Sequence, residues 1–487
     1  MQTVLIVNPP ARSGVYGQLT NLAAVEIPVW AGIIANYLRH HDYQVEVLDA
    51  EVEGLSEVQT AKRIRSARPD LAVFTIYGQQ PSASTQCLPA AEGVVRDAGV
   101  RSIALGTHPS ALPLKTLREG PWTYVAQGEG HRTVRGLLQV LDGMHGLEGV
   151  EGLWRWVDNK VVGPKVSPMN SIDLDAELGG RGFSFFDFDQ YRAHNWHAFG
   201  YPSRSPYASL QTSLGCPFAC TFCCINAPFG GTGIRFWSPG NVSKHFYQLG
   251  LRGVTHVKIP DEMFLLNPRH VEAICDALID LRGDFNIWAY ARVDTCRNER
   301  LLEKMKRAGF NWLGIGIESG SEHVRDGVAK GAFGQLEIVT AVKKVQAQGI
   351  AVGANYIFGL PDDTIETMQG TLELACELNT EWANFYCAMA YPGSQLHKDA
   401  QGRGWRLPED PGGPGWIGYS QHNYETLPLP TEHLSAAEVL RFRDAAFHYY
   451  FDRPEYFSML ERKFGEAAVQ QVQDMLAKGP IRRRLIR

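Results

Sequence analysis

No apolar stretch of this chain approaches the length of a membrane span, and the short run Val4 to Val7 follows no basic region, so neither a spanning helix nor a signal peptide is expected. A basic field is lacking too. The formal net charge of −5 offers nucleic acid no broad surface, and the closing R-R-R-L-I-R, residues 482–487, reads as a solvated tail. No strand end of the first 145 residues carries G-x-G-x-x-G, so a dinucleotide is not indicated. A disulfide framework is missing: the nine cysteines are an odd number bunched at one site, which points to a reducing cytoplasm. Nor is there the second C-x2-C pair that a structural zinc site favours.

What is present is the make-up of an ordinary globular protein. At 487 residues, with 44% hydrophobic and 20% charged side chains, the chain can bury two or three cores. Strands are expected at Val4 to Val7, Gln44 to Leu48, Leu71 to Tyr77 and Ser102 to Leu105, with a helix through Ile33 to Leu38. Strands alternating with helices imply βαβ units and a doubly wound parallel sheet over residues 1–145, whose ligands sit beyond the carboxyl ends of the strands. Those ends carry Asn8, the Tyr77-Gly78-Gln79 turn, Gly106 to Ser110 and Gln127 to Gly130.

Residues 146–206 read as a small hairpin and a linker. Over 207–400 the alternation resumes with longer repeats, and six strands are expected, near 208–213, 254–260, 286–291, 312–318, 351–358 and 383–389. Helical stretches lie between them at 268–281, 300–308, 334–348 and 365–378, and six βα units make a partial (β/α)6 barrel whose chemistry belongs at the carboxyl ends of its strands. Residues 401–487 read as a loop rich in glycine, proline and aromatics, a lid or binding loop. Alternatively, Trp405, Trp416 and Tyr424 close the barrel bottom. Helices over 435–451 and 454–478 then cap its open side.

The stretch Thr212 to Gly231 organises the rest. Cys216, Cys220 and Cys223 stand at C-x3-C-x2-C, a spacing that folds three thiolates onto one side of a short loop. Three ligands hold a cubane of four irons and leave one iron open to a substrate or cofactor. Zinc and plain buried cysteine are the alternatives. Cys224 falls outside the spacing. Cys275 and Cys376 lie on apolar helix faces, and Cys296 and Cys387 lie nearer strand ends, where a thiol could quench a radical.

With Phe222 before its last cysteine, the motif resembles the signature of the radical S-adenosylmethionine (SAM) superfamily. The resemblance implies a four-iron four-sulfur cluster whose open iron is chelated by SAM, with reductive cleavage to a 5′-deoxyadenosyl radical. It implies that Asp261 or Glu262 accepts from the methionyl amine, and that Glu318 or Ser319 meets the ribose. The backbone of Ile357 to Gly359 and that near Phe222 would face adenine. Arg292 could reach the SAM carboxylate, or pair with Asp294 or Glu318. The family's fifth-strand glutamate is replaced by Asp362, which with Asp363 could equally cap the next helix.

The first 145 residues resemble the cobalamin-binding domain that precedes many such barrels, which implies contacts from Asn8, Gly106, His108, Gly128 and Glu129. The D-x-H-x-x-G motif that supplies an axial histidine elsewhere is absent. These likenesses imply an enzyme that removes hydrogen from an unactivated carbon and transfers a methyl group from cobalamin. Its substrate would be a small molecule, sugar-like or ring-bearing, and its electrons would come from a donor such as flavodoxin or ferredoxin. Other readings are a dehydratase, epimerase or deoxygenase with an empty first domain, and a non-catalytic cluster protein.

Overall fold

The computed structural model describes residues 2–78, 81–331 and 333–486. Gln79, at the expected ligand-facing end of the third strand, and Arg487, the last residue of the basic tail, lie outside them.

The first sheet is built on apolar runs that leave no solvent face. Strand β3 (Leu71–Ile76) is buried along its whole length, the pattern of a central parallel strand covered on both sides. The order is β2 (Gln44–Asp49), β1 (Thr3–Asn8), β3, β4 (Ser102–Gly106) and β5 (Tyr124–Ala126), all parallel. The hairpin expected beyond residue 145, β6 (Leu153–Val157) and β7 (Lys160–Val162), turns at Asp158 and Asn159 with φ 47° and 61°. It pairs antiparallel onto β5, so the first sheet continues into the stretch read as linker.

Alternation along β1 and β3 gives the two faces different neighbours. Leu5, Val7, Ala72 and Phe74 pack against Ile64, Leu88 and Val95 in a core private to this layer. Val4, Ile6, Val73 and Leu105 belong to a second cluster that runs on through Trp237 to Ile315 and Phe358. The two halves of the chain therefore share a core.

The second half opens with β8 (Tyr207–Ser209) and a short ribbon of β9 (Ser213–Leu214) against β10 (Arg235–Phe236). Then follow β11 (His256–Ile259), β12 (Asn286–Arg292), β13 (Phe310–Glu318), β14 (Ala351–Phe358) and β15 (Trp382–Cys387). They form a six-stranded, all-parallel half-barrel in the order β15-β14-β13-β12-β11-β8. Its lower end is filled by Trp196, with ring centroids 5.3 Å from Trp288, 5.1 Å from Trp312 and 6.3 Å from Trp382. Part of the first half reaches the barrel: the Arg204 guanidinium donates to the carbonyls of Asn21, Leu22 and Ala23 at 3.0–3.1 Å, and Leu22 and Ala23 line the barrel's cavity.

Three expectations for the C-terminal region are corrected. Trp416 does not close the barrel bottom; its ring lies 4.6 Å from His108 and under Lys115, strapping the loop to the first sheet's layer. The helix expected over 454–478 is two, Pro454–Phe464 and Glu466–Leu476, broken at Gly465 with φ 85°. The basic tail is not solvated throughout. Arg483 is buried against Asp444 at 3.1 Å and donates to the carbonyls of Asn423 and Gln421, so its charge is neutralised inside the fold. No helix among the described residues is long and apolar enough to cross a membrane.

Candidate functional site

The cysteine loop hangs between β9 and β10 over the carboxyl ends of the barrel strands. Gly215 starts it at φ 85°, where an added Cβ would stand 2.5 Å from the Gly233 carbonyl, so only glycine lets the ribbon close. The Asn226 amide braces the loop from inside, accepting from Cys216 N at 3.1 Å and donating to Cys216 O at 2.9 Å. Cys223 N donates to Cys220 O at 3.0 Å. No three His, Cys, Asp or Glu side chains among the described residues are gathered as ligands of one metal ion.

Arg292, at the end of β12, turns toward this loop. Its guanidinium stacks 4.0 Å from the Phe218 ring, reaches Cys220 Sγ at 3.8 Å and pairs with Asp294 at 3.2 Å. Of the roles considered for it, this geometry favours the pairing with Asp294. The cation also complements negative charge on the thiols. Burial pushes the Cys216 and Cys223 thiols up and Cys224 to about 12, so these groups stay protonated until a bound cation draws the proton off.

The polar residues after the strands divide sharply. Asp261 is consumed by structure: it accepts from Thr212 N at 2.8 Å and from the hydroxyls of Thr212 and Ser213 at 2.6 Å, pinning β9 to the second strand end. Glu262 has no hydrogen-bond partner among the described residues, faces the cavity, and is pushed up to about 7 by burial. Glu318 sits in the left-handed region at φ 67°, where β13 slips register against β14, and holds Lys330 at 2.6 Å. Ser319 faces Thr371 at 3.2 Å instead of the cavity.

Phe222 and Ile357 line the cavity. Gly359, at φ 80°, does not; an added Cβ would stand 2.4 Å from Val439, so this glycine admits the helix Ala436–Phe451. The acid that serves its turn is Asp363, which accepts from Gly359 N at 2.9 Å and Leu360 N at 3.1 Å, while Thr364 caps the following helix. Cys387 lines the cavity and Cys296 does not; the latter's thiol donates to Arg292 O at 3.3 Å.

At the first sheet the outcome is different. Of the five residues expected there, Asn8 lines a cleft, with its amide on Asp49 at 2.7 Å. Gly106 and Gly128 are packed against Ile76 O and Pro168, and neither lines the cleft. His108 lies behind Trp416 with Nδ1 3.1 Å from Thr85 Oγ1, and burial lowers it to about 3. Glu129 accepts from Arg235 at 2.6 Å and from Ser171 N and Oγ at 3.0 and 2.9 Å, tying the first layer to the barrel. Local sequence carries no sign of such distant partners.

The cleft itself lies between the two sets of strand ends. It encloses about 1340 Å³, counting the part open to solvent, and its upper wall includes Val25, Ile27, Trp30 and Tyr77, the last two stacked at 4.7 Å. No histidine lines it among the described residues. A broad apolar slot of this size fits a large flat ring held by shape. A second, larger cavity of about 2440 Å³ descends from the cysteine loop into the barrel. The two share Val15, Tyr16, Glu26, Ala83, Ile225, Lys258, Glu262 and Tyr290. At their seam Glu26, from the first layer, meets Lys258 of β11 with both carboxylate oxygens at 3.0 Å, a buried pair that sequence reasoning did not find.

Comparison with known proteins meets this geometry from outside. The radical SAM superfamily profile matches residues 210–375 and the B12 binding domain profile matches residues 18–138. An uncharacterised methyltransferase of Pyrococcus horikoshii is 27% identical over 404 residues, covering 81% of this chain and 82% of its own. An anaerobic magnesium-protoporphyrin IX monomethyl ester cyclase of Rubrivivax gelatinosus is 26% identical over 413 residues, covering 81% and 69%. Among solved structures, the radical SAM methyltransferase TsrM from Kitasatospora setae, with cobalamin and a 4Fe-4S cluster bound, superposes with a TM-score of 0.70 at 14% identity, over 98% of this chain and 100% of its own. That likeness is one of fold.

Proposed function

The chain belongs to the radical SAM superfamily and carries a B12 binding domain ahead of its barrel, and from that premise we propose that it is a cobalamin-dependent radical SAM methyltransferase acting on a carbon of a small molecule. The observation that carries this reading is the shared seam. Two cavities, one at each set of strand ends, share eight lining residues, so a substrate at that common wall borders both at once. An enzyme with an empty first domain would have no use for that connection.

When bound, the cluster supplies the electron that splits SAM and cobalamin supplies the methyl group. The protein's part is to hold, orient and exclude. Cys216, Cys220 and Cys223 are the cluster ligands, with Arg292 balancing their charge. Glu262, which faces the cavity and has no hydrogen-bond partner among the described residues, accepts from the SAM amine. Glu318, braced by Lys330, meets the ribose, and Phe222 with the backbone at Ile357 borders adenine. The cleft walls at Trp30 and Tyr77 would hold the corrin by shape, and no histidine lines that cleft among the described residues. Buried surroundings keep water and stray hydrogen donors from a carbon radical. Electrons come from a small external carrier of the flavodoxin or ferredoxin kind, in a reducing cytoplasm.

The test is anaerobic reconstitution with iron, sulfide and hydroxocobalamin, followed by SAM and reductant. Methyl transfer yields S-adenosylhomocysteine beside 5′-deoxyadenosine. Protein that keeps its cluster and forms 5′-deoxyadenosine alone, with no retained corrinoid, would be a dehydratase or epimerase instead.

A further inference from the structure

Below the shared seam, the larger cavity has a floor that none of the cofactor roles uses. Gly314 of β13 and Gly353 of β14 are register partners in the interior of central strands, where glycine packs nothing and weakens the strand. An added Cβ at Gly353 would meet no atom within 4 Å, while one at Gly314 would press the Tyr290 ring at 3.0 Å. The pair therefore hollows the barrel instead of fitting a tight contact. Trp288, Trp382 and Trp196 line the hollow.

One level up, a hydrogen-bond chain ends at this space. Trp382 Nε1 donates to Asn384 Oδ1 at 2.9 Å, and Asn384 Nδ2 donates to Asn355 Oδ1 at 2.9 Å. An indole nitrogen can only donate, so the first link sets the orientation of both amides. The group left over is Asn355 Nδ2, a donor with no partner among the described residues, on a side chain that lines the cavity. The lysine that lines the same cavity, Lys258, is matched by Glu26 at 3.0 Å, and the arginine, Arg443, lies 3.1 Å from Asp444, a carboxylate it shares with Arg483. Among the described residues an anionic ligand would find no unmatched ammonium there, and it would meet Glu262 and Glu318 on the same lining.

Building on the methyltransferase reading, we propose that the substrate is an uncharged planar ring compound bearing a hydrogen-bond acceptor, seated over Gly353 with that acceptor on Asn355 Nδ2. The aromatic walls supply stacking faces. The amide chain supplies direction: a ligand offering only donors at that point leaves Asn355 unpaired.

Equilibrium dialysis of the anaerobically reconstituted enzyme with two matched probes, indole-3-carboxamide and indole-3-carboxylate, tests this without turnover. The carboxamide is expected to bind at least about tenfold tighter than the carboxylate. Gly353→Val fills the hollow, and Asn355→Leu removes the donor at similar volume. Each is expected to weaken carboxamide binding about tenfold or more in protein that keeps its cluster absorption. Absence of carboxamide binding to the wild type, a preference for the carboxylate, or unchanged binding in both variants would overturn the proposal. Carboxamide binding to protein that retains no corrinoid and forms 5′-deoxyadenosine alone breaks the methyltransferase reading alone, and methylation of some other substrate with no carboxamide binding breaks this one alone.

Discussion

The carboxyl ends of the two sheets face each other across one seam, yet they spend their polar residues in opposite ways. In the first sheet Glu129 is locked to Arg235, His108 is walled in by Trp416 and Asn8 leans on Asp49, so little directed polarity is left for a ligand. In the barrel Glu262, Glu318, Tyr290 and Asn355 line the cavity. A large flat ligand can be held by an apolar slot, because buried area accumulates over its whole face. A small charged one cannot, and needs hydrogen bonds aimed at particular atoms. The contrast suggests a corrin held by shape above and SAM held by direction below.

The largest effect should come where the lower wall is most specific. Replacing Cys216, Cys220 or Cys223 by alanine is expected to remove the cluster's visible absorption and reduce SAM cleavage to background, while Cys224→Ala keeps both. A cysteine triad that tolerates alanine would end the assignment. Next, Glu262→Gln removes a charge-assisted hydrogen bond and is expected to weaken SAM binding about 10–100-fold, measured by anaerobic titration. Unchanged affinity would hand that role to another group.

In the upper wall the expectation reverses. Glu129→Ala leaves Arg235 without its carboxylate and is expected to cost about 3 kcal/mol of stability, read as a lower denaturation midpoint. Corrinoid retained per folded molecule should not change, and its loss in folded protein would mean that the first sheet does use directed contacts.

The smallest effect concerns Asp363, which burial raises to about 6. Between pH 4 and 6 the folded chain keeps this proton after the unfolded chain has released it, so stability falls as pH rises across that window. The slope is at most about 1.4 kcal/mol per pH unit. Asp363→Asn should flatten the pH dependence of the denaturation midpoint relative to wild type, and an unchanged profile would place the titrating group elsewhere.

Much of this was legible because it is local. A cysteine triad within eight residues declares its chemistry by spacing, and apolar runs such as Leu71 to Ile76 declare a buried strand because a covered parallel strand tolerates no polar face. Legibility failed wherever a partner came from far along the chain. Glu129 looked like a ligand contact because nothing near it announces Arg235, more than a hundred residues away. Arg483 looked solvated because its carboxylate, Asp444, lies far back along the chain on the helix Ala436–Phe451. Ser319 and Glu318 were alternatives on equal terms until the register slip between β13 and β14 turned one inward and the other toward Thr371.

The sequence alone determined the class of the elements, the order of the two sheets along the chain and the placing of three cysteines on one short loop, since hydrophobic period and residue spacing act over a few residues. Only the tertiary structure decided which acids remain free, that the two cavities share a wall, and which way the Asn355 amide faces. Those are properties of groups brought together by folding, and a side chain's hydrogen-bonding capacity is left for a ligand only if no neighbour in space has already taken it.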